Sequence, residues 1–132
     1  LLAALFAALT AVFAKIAIKN VDSDLATAIR TIIILIIAWL IVLFKGSIST
    51  WTTLTKTNWL FLGLSGIATG LSWVFYFKAL QIGKVSLVAS VDKLSVAIAI
   101  ILSAIFLKEV LTLRTILGAA LIIVGTFILV WK

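Results

Sequence analysis

The chain contains no cysteine, no histidine, no proline and no methionine, and acidic residues are scarce, with 4 Asp and Glu against 11 Lys and Arg. Without Cys and His, disulfides, thiol chemistry and the usual zinc sites are excluded. Without Pro, no helix can be kinked by a missing backbone N–H. Charged residues of either sign make up 11% of the 132 residues, while 65% are apolar. A soluble domain keeps roughly a quarter of its residues charged to solvate its surface. This composition therefore describes a chain whose solvent is largely lipid. The formal charge of +7 would suggest a nucleic-acid partner in a soluble protein. Here the basic residues punctuate apolar runs, so anchoring to lipid headgroups is the simpler reading and no nucleic acid is expected. The chain opens at Leu1 inside an apolar run, without a methionine, and a preceding segment is expected to be missing.

Five apolar stretches of about membrane-spanning length follow one another: about 1–18, 25–44, 58–79, 86–106 and 112–131. Apolar residues occupy every face of each stretch, as lipid or neighbouring helices require. In hydrocarbon every backbone group must be satisfied within its own helix, and the period-2 alternation of a membrane barrel is absent. The expected fold is an all-α integral membrane protein, a bundle of five transmembrane helices forming one domain over the whole chain. The connections are short, so consecutive spans are antiparallel. "KNVDSD" offers Asp22, Ser23 and Asp24 as caps for the second span; "QIGK" turns on Gly83 and "LKEVL" is barely a loop. The longest connection, "KGSISTWTTLTKTN", suits a segment lying in the headgroup layer.

Small residues let membrane helices approach closely. Candidates are Ala4, Ala7, Ala8, Ala11 and Ala14 in the first span, Gly66 and Gly70 in the third, and Gly118 and Gly125 in the fifth. Either they pack helices within one subunit, or the Gly118/Gly125 face meets a second copy.

Chain reversal defines two membrane sides. Side A holds the first–second and third–fourth connections and the C-terminal end. Asp92 and Lys93 lie roughly 9–11 Å inside from side A, and Arg30 roughly 7–8 Å. Trp73 falls at a similar depth, with Tyr76 one turn nearer the surface. Lys15 and Lys78 are shallow enough to snorkel. Intramembrane charges mark substrate or ion pathways by default, and the alternative is a buried ion pair fixing helix register. Adjacent helical positions point about 100° apart, so Asp92 and Lys93 need not pair with each other, and Arg30 is available to Asp92. Ser86, Ser90, Lys93 and Ala97 share one face that would suit a wet groove. Trp39, Trp59 and Trp131 fit an interfacial belt, whereas Trp73 is deep enough to line a cavity. Three cations facing one carboxylate favour an anionic or zwitterionic small molecule, and Asp92 is the candidate for coupling to protons. Counting Lys15, Lys19, Arg30, Lys78, Lys84, Lys93 and Lys132 on side A against Lys45, Lys56, Lys108 and Arg114 on side B, the positive-inside rule makes side A cytoplasmic.

The stretch "YFKALQIGKVSLVASVDKLSVAIAIILSAIFLKEVLTLRTILGAALIIVGTFILV" resembles the repeat unit of EamA-type transporters of the drug/metabolite transporter superfamily. The matching features are A-L-x-x-G at 79–83 with Gly83, Glu109 at the end of the fourth span, and the glycines of the fifth. D-K-L-S at 92–95, which includes Ser95, resembles the single-repeat, five-helix bacterial and archaeal branch. Lys15 and Arg30 also fall where that family often has a Lys and an Arg. The chain departs from most members in having one repeat instead of two inverted ones, and no proline in the fourth span. The resemblance implies a multi-pass protein of a bacterial or archaeal cell membrane that exports or exchanges small metabolites or drugs. With one repeat, a homodimer is expected. No nucleophile–base pair or metal cluster is visible, so neither an enzyme nor a cofactor is expected. The competing reading is a non-transporting membrane subunit that assembles with a partner, its charges being structural.

Overall fold

The structure, a computed structural model, describes residues 1–131; Lys132, counted above with side A, lies outside the described residues. Helices account for nearly all of it: α1 (Leu2–Ala17), α2 (Ser23–Phe44), a 3₁₀ turn (Ser47–Thr53), α3 (Lys56–Ile82), α4 (Val85–Asp92), α5 (Leu94–Phe106) and α6 (Leu113–Val130). Among the described residues there is no strand. Four segments are long and apolar enough to cross a membrane: α2, α3, the continuous stretch Val85–Phe106 carrying α4 and α5, and α6. The first helix, α1, has 16 residues, or roughly 24 Å at 1.5 Å per residue, against a hydrocarbon core of roughly 30 Å. At 27 residues, α3 is roughly 40 Å long, so both of its ends reach the headgroup layers.

Local chemistry sets the helix ends. Of the three caps offered before α2, Asp22 is the one used: its Oδ1 accepts from the backbone N–H of Asp24 and Leu25 at 2.9 and 3.1 Å, satisfying two donors that α2 cannot bond internally. Thr112 caps α6 in the same way, accepting from Thr115 N–H at 3.2 Å. At the other end of α2, Gly46 takes a left-handed conformation at φ 66° and lets the chain enter the 3₁₀ turn. Lys108 does so at φ 55° after α5, although it carries a Cβ. There the Ser103 carbonyl accepts from Leu107 and Glu109 N–H at 2.9 and 3.3 Å.

Two sequence expectations are revised. The A-L-x-x-G turn is mostly helix, since α3 continues to Ile82 and leaves only Gly83 and Lys84 outside regular helix. Glu109 lies in the short connection between α5 and α6, as the "LKEVL" stretch suggested. Most important, the fourth span is interrupted at Lys93 without any proline. Lys93 has ψ −14°, its N–H reaches back three residues to Ser90 O at 3.1 Å, and its carbonyl accepts from Val96 N–H at 3.1 Å. These are 3₁₀-type bonds, tighter than an α-helix allows. The Thr126 hydroxyl of α6 donates to the same Ser90 carbonyl at 3.2 Å. A side chain inserted at a helix ladder is a recognised cause of a break.

Two compact units make up the chain. In the unit of residues 13–81, the small buried set is Ala14, Ile18, Ser23, Thr27, Phe77 and Leu80. Ala14 on α1 and Ile18 just past its end lie one turn apart, as do Phe77 and Leu80 on α3, so each helix presents one narrow inward face. Polar ties join the same ends. Lys15 Nζ donates to the carbonyls of Leu80 and Gln81, Gln81 Nε2 donates to Val21 O at 3.1 Å, and Lys78 pairs with Asp24 at 3.2 Å. In the unit of residues 1–12 with 82–131, α6 packs against both α4 and α5; Ala11, Ala97 and Thr126 are buried. Most Leu, Ile and Phe side chains in both units are exposed, as lipid-facing surfaces require.

The glycines of the spans are open in the single chain. No neighbouring side chain or element comes within 4 Å of where a Cβ would sit at Gly66, Gly70, Gly118 or Gly125. These glycines are therefore not close-packing sites within the described chain.

Candidate functional site

Two groups of membrane-embedded polar residues stand out, one in each unit. In the 13–81 unit, α2 carries Arg30 and α3 carries Trp73, Tyr76 and Phe77, the two rings that Arg30 meets, Trp73 and Phe77, lying four residues apart. The guanidinium carbon of Arg30 stands 4.5 Å from the Trp73 ring centroid and 5.1 Å from that of Phe77. Both lie within the roughly 6 Å reach of a cation–π contact. Tyr76 meets Phe77 edge-on, with centroids 6.4 Å apart. One guanidinium nitrogen, Nη1, is buried and has no hydrogen-bond partner among the described residues. Native proteins rarely leave such a donor unsatisfied. The association of Arg30 with Trp73 was legible from their similar depth, whereas the part played by Phe77 was not. A Phe among so many apolar residues carries no signal of its own.

In the other unit, Asp92 ends α4 and Lys93 occupies the break before α5. Pointing about 100° apart on an ideal helix, they were not obliged to meet; the break brings Lys93 Nζ to 3.4 Å from Asp92 Oδ2. The side chains remain 57% exposed for Lys93 and 38% for Asp92. Of the face read as a wet groove, Ala97 is buried and the Ser90 carbonyl is engaged by α6. Ser86 is tied to Ser90 through the Ser90 hydroxyl, which donates to Ser86 O at 2.7 Å. Lys93 stays exposed on that face while it pairs with Asp92.

The remaining sequence candidates have local roles. Lys15 caps the C-terminal end of α3. Gly83 separates α3 from α4, and Ser95 sits exposed in the first turn of α5. Among the described residues no group of three His, Cys, Asp or Glu is placed to hold a metal.

Long apolar spans bearing a few partnered intramembrane charges define a multi-pass membrane protein. The family is specific: residues 1–131 match the EamA-like transporter family, and the chain belongs to it. A relative from Sinorhizobium sp, described as an uncharacterized transporter in the cobO 3' region, is 46% identical over 129 residues, covering 98% of this chain and 92% of its own. An uncharacterized protein of Methanocaldococcus jannaschii is 36% identical over 66 residues, 50% of this chain and 48% of its own. No solved structure matches. The chain is thus a member of a membrane transporter family.

Proposed function

We propose that this chain is a secondary transporter that exports or exchanges small metabolites or drugs, and that its working unit is a homodimer. In this reading α1 joins the four longer spans as a fifth, the chain forms one repeat, and side A faces the cytoplasm. The task needs no covalent chemistry, so the protein is not an enzyme.

One observation carries the reading beyond family membership. Asp92 and Lys93 are charged, lie well inside a span, and are 38% and 57% exposed at their side chains. A charge facing hydrocarbon costs at least roughly 2.5–3.5 kcal/mol. Exposed charges at that depth therefore call for water, substrate or a second copy of the chain. Inverted repeats normally supply the symmetry by which a carrier opens to alternate sides, and a single repeat gains it by pairing. The Gly118/Gly125 face, open in the single chain, is the preferred contact.

Arg30 supports an anionic or zwitterionic substrate. Its unpartnered Nη1 offers a charge-assisted hydrogen bond to a carboxylate or phosphate oxygen. Trp73 and Phe77 both contact the guanidinium, and Tyr76 adds a further aromatic ring beside Phe77. Asp92 is the coupling candidate, because its protonation changes the local charge by one unit.

The test is flux. Protein reconstituted in liposomes and challenged with a panel of labelled anionic, zwitterionic and cationic metabolites should move at least one anionic or zwitterionic compound faster than protein-free vesicles. Arg30→Gln should abolish that flux while leaving helix content unchanged. Flux of cationic compounds alone, undiminished in Arg30→Gln, would overturn the substrate class. No flux for any compound would overturn the transporter reading.

A further inference from the structure

In the 13–81 unit, the C-terminal half of α2 and the 3₁₀ turn flank an open-sided cavity of about 220 Å³, lined chiefly by Ala38, Trp39, Val42, Ile48, Trp51 and Leu54. Trp51 forms the centre of an aromatic cluster. Its ring lies 6.1 Å from that of Trp39 and 5.1 Å, edge-on, from that of Trp59. Trp39 and Trp59 alone would be ordinary belt residues; the 3₁₀ turn gathers them with Trp51, and Trp39 and Trp51 line the cavity.

We propose that this cavity is a binding site for one anionic phospholipid of the side B leaflet, with a length of acyl chain in the cavity and the phosphate at Lys45 and Lys56. Three observations support that occupant. The cavity is smaller than the roughly 300–1,000 Å³ of sites that engulf a small molecule, so it accepts part of a molecule whose remainder lies outside. Its walls are mostly apolar and stand at the end of a membrane span, where acyl chains are the surrounding solvent. The charge at its edge is of one sign. Lys45 and Lys56 each lie two residues beyond the lining residues Ser47 and Leu54, and no Asp or Glu occurs between Asp24 and Asp92. The 3₁₀ turn keeps its own hydroxyls occupied: Thr50 donates to Ser47 O and Thr53 to Thr50 O, each at 2.7 Å. It therefore presents little unsatisfied polarity to the chain.

Contact quenching by brominated lipid tests the site. A reporter form carrying Trp73→Phe and Trp131→Phe retains only the three clustered tryptophans. It is placed in nanodiscs of phosphatidylcholine doped with a small fraction of either phosphatidylglycerol or phosphatidylcholine bearing dibrominated chains. Brominated phosphatidylglycerol should quench saturably and several-fold more strongly at equal mole fraction. A basic side chain near an anionic surface contributes about 1 kcal/mol, or about fivefold per lysine. Lys45→Gln with Lys56→Gln should bring the two lipids level. Because the whole chain is basic and attracts anionic lipid generally, the deciding variant fills the cavity: Ala38→Phe should remove the saturable component with both lysines intact. Val42→Phe serves the same purpose if the first variant does not assemble. Equal quenching by the two lipids in the reporter form would overturn the site. So would a saturable preference that survives cavity filling.

Discussion

Removing the ammonium of Lys15 should destabilise the protein more than removing that of Lys78, although both are basic residues near side A. Lys15 Nζ donates to Leu80 O and Gln81 O, two of the last four carbonyls of α3, which an α-helix cannot satisfy internally. The Leu80 residue is fully buried, so water cannot replace the lost donor without opening the helix end. A hydrogen bond to a charged group contributes roughly 1.5–3 kcal/mol, and a cation at a helix C-terminus roughly 0.3–1 kcal/mol. Lys15→Met keeps most of the aliphatic stem and should cost about 2–3 kcal/mol. Lys78 pairs with Asp24 at 3.2 Å, but both side chains are over half exposed, and such a pair contributes about 0–1 kcal/mol. Lys78→Gln should therefore cost less than about 1 kcal/mol. Unfolding in mixed micelles of dodecyl maltoside and dodecyl sulfate, followed by circular dichroism, gives both values on one scale. Equal costs for the two variants, or a Lys15→Met cost under about 0.5 kcal/mol, would refute the claim that Lys15 fastens α1 to the end of α3.

Asp92→Asn should leave folding within about 1 kcal/mol of the parent, because the pair is part-exposed, yet weaken the pH dependence of flux; an unaltered pH profile would remove Asp92 from coupling. Thr126→Val removes the hydroxyl that reaches the Ser90 carbonyl and should cost about 1 kcal/mol, read as a lower midpoint in the same micelle titration. Gly46→Ala forces a Cβ into a left-handed turn at φ 66° and should cost about 1–2 kcal/mol, whereas Lys108→Gly relieves the same strain and should raise the midpoint. A cysteine introduced at Lys84 should resist a membrane-impermeant thiol reagent applied outside intact cells, as side A cytoplasmic requires; strong labelling would invert the topology.

Spans two to five were legible because apolar runs of about twenty residues admit one solution in lipid. Predicted ends fall within three residues of the observed ones, with caps at Asp22 and Thr112 marking two of them. The break at Lys93 was not legible, since the expected signal was proline and the observed cause includes a hydroxyl from a distant stretch of chain. The Trp39–Trp51–Trp59 cluster was hidden for a related reason. Each tryptophan had a sufficient explanation as a belt residue, and only the path of the 3₁₀ turn brings them together. Glycine spacing left two partners open, because small-xxx-small patterns say that a helix can be approached and not by which neighbour.

The charged residues divide according to where their partners are found. At helix ends the chain satisfies them itself: Asp22 caps α2, Lys15 caps α3, and Lys78 meets Asp24. Within the spans it leaves capacity unused. Arg30 has two aromatic faces but one buried nitrogen without an acceptor. Asp92 and Lys93 hold each other loosely at 3.4 Å, with much of both side chains uncovered. Structural charges in hydrocarbon repay their desolvation only when their hydrogen-bonding capacity is filled. The in-span groups fail that condition in the single chain, while the terminal groups meet it with neighbours at hand. A chain evolved only to hold helices in register would have been more stable with apolar residues at 30, 92 and 93. Under the proposed transport role, water or substrate would supply the partner that the single chain leaves out.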